Sequence, residues 1–309
     1  MLNPILSFSA TRRMRSFKTL LIAAAYVIVM LAVTLLIMGR LFGSEATFNS
    51  IRNSVTCYQA QMITQFILIL LIAPAMTSGA IAGERERQTL ELLLVTNTRS
   101  FRIVFGKAME SFAMLGLLIV CGFPVMCLTM MAGAVTLTQL LTGELFLLLI
   151  AFASVCVGVF SSTLARSTVA SGVISYLILL AIGGLTLVPM FSDFPEEVTS
   201  VVYDTSSLAA LAPGDALKMI SPVLLCNPGY ALIALIALLH GQTGMLAGIM
   251  EYREIGRLLC EFRLMDKAGG ETLALISCGI VFVLAVLLLF AAALLLRKNS
   301  LKPAKRTKQ

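Results

Sequence analysis

The chain is predicted to be all-α: a polytopic membrane protein with six transmembrane helices. Three observations carry that expectation. Of its 309 residues, 59% are hydrophobic and only 13% charged, against roughly 45–50% and about 25% in soluble domains; mean hydropathy is +0.96. Six apolar stretches are long enough to cross a hydrocarbon core of roughly 30 Å at about 1.5 Å rise per residue. As drawn, none of the six contains an Asp, Glu, Lys, Arg or His.

The spans run over Leu20–Met38, Met62–Ala82, Ser111–Ala134, Leu145–Leu164, Val169–Phe191 and Thr272–Leu296. Gly39-Arg40 follows the first, which is no small-residue cleavage site, so a retained helix is expected there. Pro74 and Pro124 fall inside the second and third spans, where neighbouring helices can satisfy the freed carbonyls. Small residues such as Ala170-Ser171-Gly172 and Gly183-Gly184 suit close helix contacts.

Basic residues set the orientation. Sixteen of the 23 Lys and Arg flank one side: residues 12–18, the loop after the second span, Arg166 and the tail 297–309. Seven lie on the other. Both termini are therefore expected in the cytosol, as an even number of spans requires. The +7 formal charge is spent on these flanks, which argues against nucleic acid as a partner and for the lipid bilayer. The N-terminal segment 1–18, apolar with four bases, is suited to lie along the inner membrane surface. The whole chain, 1–309, is taken as one transmembrane domain.

Residues 192–271 then form an extracytoplasmic region with ten acids and five bases. Within it the apolar run Tyr230–Leu239 is too short to span, and Pro222, Asn227, Pro228 and Gly229 punctuate its approach. A re-entrant or interfacial helical hairpin before the last span is expected. Residues 251–271 have the pattern of an amphipathic surface helix ending near Gly269-Gly270.

Catalytic signals are weak. No G-x-x-x-x-G-K-[ST] loop is present, and Gly106-Lys107 is followed by Ala108. His240 stands alone, and Glu196-Glu197 and the pair Glu251, Glu254 lack any pocket-like context. Seven scattered Cys form no C-x-x-C pair; a disulfide among Cys57, Cys226 and Cys260 is left open. The chain is expected to be no enzyme and to hold no metal or cofactor of its own. Ion-driven transport, which commonly uses an ionisable group at mid-membrane, is disfavoured by the charge-free spans.

The segment 84–107 is the exception to this blandness. Glu84–Gln88 and Arg87–Glu91 stand at i,i+4, and Leu90, Leu93 and Leu94 share one face. That predicts a short cytosolic helix with an apolar stripe seeking a partner. Here Gly83, Glu84, Glu86, Thr89, Leu90, Glu91, Leu92, Leu93, Leu94, Thr96, Ile103, Gly106 and Lys107 resemble, in register, the loop after the second span in membrane subunits of ABC type 2 exporters. Gln88 replaces the usual Gly, Asn97 the usual Pro and Arg99 the usual Ser.

The resemblance implies a permease subunit whose coupling helix seats on a separate cytosolic ABC ATPase, with ATP and Mg held by that partner. It also implies a second permease chain, identical or not, and residence in the cell inner membrane. The coupling residues would be Gly83, Glu84, Arg85, Glu86, Thr89, Leu90, Glu91 and Leu94, with Pro222, Asn227, Pro228 and Gly229 in an outer exit gate. Export of an amphipathic or lipid-like substrate is the function expected. A membrane anchor or scaffold in an ABC-type assembly or motility machine is the alternative, and a membrane enzyme acting on lipid-linked substrates is the third.

Overall fold

The computed structural model of the protein describes residues 17–42, 50–89, 100–131, 133, 135–185, 224–240 and 270–300. In chain order these form α1 (Phe17–Phe42), α2 (Ser50–Thr77), a short α3 (Ala82–Glu86), α4 (Ser100–Met131), α5 (Leu137–Leu164) and α6 (Thr168–Leu180). A π-helical turn, Ala181–Leu185, continues α6. A 3-10 turn, Leu224–Cys226, leads into α7 (Pro228–His240), and α8 (Gly270–Ser300) follows.

Among the described residues, five helical stretches are long and apolar enough to cross a membrane, Thr19–Gly39, Ser54–Glu86, Phe101–Met130, Leu137–Leu164 and Leu273–Arg297. The fifth predicted span is represented by a shorter apolar helix, Thr168–Gly184; its predicted end beyond residue 185 lies outside the described residues. Pro74 and Pro124 sit inside α2 and α4, as the sequence places them.

The helix α5 is the centre of the bundle, packing on α2, α4, α6 and α8. Its most apolar stretch is 67% buried, against 17% for α1, so α1 is a peripheral helix with leucines on its outer face. Missing side chains let α5 approach α2. A Cβ on Gly158 would overlap Thr77 Oγ1 and come to 2.6 Å from Thr77 Cβ, and one on Gly143 would meet the Tyr58 hydroxyl and Met62. Such small-residue contacts are how helices associate where lipid removes the hydrophobic drive between them.

The interior is more polar than the drawn spans predict. The helix α5 begins at Leu137, where Thr136 and Gln139 form a capping box, and so includes Glu144, 6% exposed. The helix α4 begins at Ser100 and includes buried Glu110. The expectation of charge-free spans is corrected: the helices start about two turns or more before the first uninterrupted apolar residue.

Gln61 joins three helices: its Nε2 donates to Thr34 Oγ1 (2.7 Å) and Val125 O (3.3 Å), and its Oε1 accepts from Thr129 Oγ1 (3.3 Å). No disulfide joins Cys57 to Cys226; Cys260 lies outside the described residues.

Candidate functional site

The chain leaves α2 through a turn, Ser78–Ile81, and enters α3. No local side chain caps α3. Ser162, on the last turn of α5, does so from across the bundle. The backbone N–H groups of Ile81 and Ala82 each donate to Ser162 Oγ at 2.9 Å, and the Ser162 hydroxyl donates to Ser78 O at 3.0 Å. Orphan donors at a helix start need such partners.

The helix α3 ends after five residues. Gln88 N–H donates to Arg85 O (3.1 Å), and Thr89 N–H to Glu84 O (3.0 Å), the paired bonds of a Schellman motif. That motif needs a left-handed residue, and Gln88 has φ 57°. Glycine costs least in this conformation, which is a physical reason for the glycine usual here in the exporters the sequence resembles. The predicted helix is interrupted on the same ground: left-handed Gln88 turns the chain off the helical path, so Glu84 and Gln88 are not a helical i,i+4 pair. Leu90, Glu91 and Leu94 lie outside the described residues, as does Pro222.

Three charged side chains of α3 tie it to three other helices. Glu84 Oε1 pairs with Lys107 Nζ of α4 at 3.1 Å, and Glu84 Oε2 accepts from Thr89 Oγ1 at 2.5 Å. Arg85 turns the other way. Its guanidinium donates to Thr163 O (3.2 Å) and closely to Ala165 O, which are carbonyls at the C-terminus of α5, a helix with no basic residue in its own last turn. Glu86 Oε1 accepts from the Thr168 backbone N–H at 2.9 Å, at the start of α6, which has no acidic residue in its own first turn. Adjacent residues of opposite sign thus sit on the negative end of one helix and the positive end of the next, each favourable with the helix dipole. Gly83 is half-buried; a Cβ there would be in ordinary contact with Thr168 Cγ2 at 3.5 Å.

The far end of α6 holds the second predicted set. Asn227 is 2% exposed, and its Oδ1 accepts from Gly229 N–H at 2.7 Å. It is the N-cap of α7, with Pro228 at the first helical position and Gly229 after it. Its Nδ2 donates to Gly183 O at 3.0 Å, inside the π turn that ends α6. Residues 168–185 span roughly 27 Å at 1.5 Å per residue. A single rod therefore joins Glu86 at one end to Asn227 at the other.

Serine 162, Thr163 and Asn227's partner Gly183 were not legible as site residues. The Ser161-Ser162-Thr163 run closing a span is the one sequence signal for the first two, and the Gly183-Gly184 pair signalled only a close helix contact.

A helical bundle with membrane-length apolar helices, a buried polar seam and a clamped charged turn between its second and third long helices defines a multi-pass membrane protein. The chain belongs to the ABC-2 transporter family: residues 44–294 match the family model described as ABC-2 family transporter protein. Its place in that family is that of a membrane permease. No curated protein matches the chain.

Proposed function

We propose that the protein is the permease subunit of an ATP-driven exporter, moving an amphipathic or lipid-like substrate by alternating access. The observation that supports this reading is the clamped turn, residues 78–89, whose side chains grip α4, α5 and α6 at once, with α6 leading to the Asn227–Gly229 segment. A push on such a turn is delivered to three helices rather than dissipated in a loop. A cytosolic ATPase, binding ATP and Mg, supplies the push through the turn and the Leu90–Leu94 segment. A second permease chain completes the pathway, and both termini face the cytosol across the inner membrane. The Asn227–Gly229 segment acts in the outer gate, and two-state rocking of the paired permeases carries substrate across.

The test is an affinity pull-down of the tagged chain in mild detergent, with ATPase and substrate-stimulated turnover assayed on the eluate. Replacing Glu84 and Glu86 together by Ala is expected to leave membrane insertion intact and to uncouple or release the ATPase. Normal recovery of the ATPase with normal transport in that double variant would sink the proposal.

A further inference from the structure

The helices α6 and α8 each pack on α5, and a cleft is left between them. Its floor is α5 from Ile150 to Val157, and one wall is α8 from Val281 to Leu288. Each of those stretches rises about 10 Å. The other wall is Leu179 and Ile182, where α6 passes into its π turn. Cys226 and Pro228, on either side of Asn227, line the cleft as well. Counted out to its mouth, it encloses about 430 Å³. Among the described lining residues, only Ser154 and Cys226 carry a polar side-chain atom. Leu284 lines the cleft and is 40% exposed, and Leu180 and Leu287, next to lining residues, are exposed too. The cleft is thus continuous with the outer apolar surface of α6 and α8.

We propose that this cleft seats the methyl end of a phospholipid acyl chain, held between α6 and α8 as a resident lipid. Depth selects that part of the molecule. Ile150 and Val157 are the fourteenth and twenty-first residues of α5, about 20 and 30 Å along a helix about 42 Å long. The cleft therefore lies well inside a hydrocarbon core of roughly 30 Å, away from the headgroups. Chemistry selects it too. A water needs about two to four polar partners, and one hydroxyl and one thiol are all that the described lining side chains offer. A protein segment would have to be helical to satisfy its own backbone there. A 10 Å length of helix about 10 Å across occupies roughly 800 Å³, nearly twice the space present. Left empty, the cleft would strip its walls of dispersion contacts on one side. A hydrocarbon chain makes those contacts, needs no hydrogen bond and is the medium already at the mouth. A resident lipid of this kind is independent of what the protein transports. The seated chain touches Ile182 and Pro228, the neighbours of the Gly183–Asn227 bond, and so braces the π turn against α8.

The experiment uses the full chain in nanodiscs of phosphatidylcholine, a small fraction of which carries a diazirine at the methyl end of one acyl chain. Irradiation, proteolysis and mass spectrometry then map the adducts. Leu179, Ile182 and Leu284 are expected to be labelled several-fold above Ile28 and Leu31, which are exposed near the middle of the peripheral helix α1. Moving the diazirine next to the glycerol is expected to abolish that preference. Ala153→Leu on the floor and Leu288→Phe on the α8 wall each add bulk to the cleft. Either is expected to remove most of the cleft adducts and to leave those on α1 unchanged. Cleft labelling no higher than that on α1 in the wild type overturns the proposal, whatever the variants do. Undiminished cleft labelling in both filled variants overturns it too, as does a preference that survives the move to the glycerol end.

Discussion

Replacing Ser162 by Ala removes one oxygen and three hydrogen bonds. Two of the donors it serves, the amides of Ile81 and Ala82, belong to residues 1% and 0% exposed. A buried donor left without a partner costs about 1–3 kcal/mol. The Ser78 carbonyl is on a half-buried residue and finds water more easily. Some water also reaches the amides when the turn loosens, so a net loss of about 2–4 kcal/mol is expected rather than the full sum. At about 1.4 kcal/mol per tenfold, the docked turn would open roughly 30- to 1,000-fold more often. Hydrogen exchange on the purified chain reads this directly: protection of a peptide covering residues 78–89 should fall by that factor. Ser161→Ala is the control, because Ser161 bonds Gly158 O and Ser175 rather than the turn. Exchange in Ser162→Ala within threefold of wild type would refute the reasoning, since it would mean that Ser162 does not hold the turn.

Two further outcomes follow from the same geometry. Gln88→Gly should relieve the left-handed strain at φ 57° and stabilise the turn by about 0.5–1 kcal/mol, seen as slower exchange at the Thr89 amide; faster exchange would contradict the strain. Gly158→Ala should destabilise the α2–α5 contact by about 1–3 kcal/mol through overpacking against Thr77, measured as a lower unfolding midpoint. Adding Thr77→Gly should restore most of the loss, and failure to restore it would place the cost elsewhere.

Much of the fold was legible because lipid imposes a simple rule, and long apolar runs obey it. The helix starts were not. Leu145 is where the uninterrupted apolar run begins, yet the capping box at Thr136 starts α5 eight residues earlier and carries Glu144 into the interior. At the turn, Glu84, Glu86 and Thr89 were legible through the pattern that resembles a known loop. The stop after Glu86 was not, because Arg and Gln are good helix formers and their i,i+4 spacing favoured continuation. The odd residue in the pattern, Gln88 for Gly, was the clue. Contacts such as Arg85 with Thr163 and Glu86 with Thr168 join residues some eighty positions apart, beyond the reach of any local spacing.

The missing side chain at Gly158 also governs how the bundle can move. Thr77 sits in that notch as a pawl sits in a ratchet. Sliding α2 along α5 by one residue, about 1.5 Å, would drive the threonine out of this gap. Pivoting about the notch needs no such displacement. The notch thus holds the two helices against sliding while leaving them free to pivot about it.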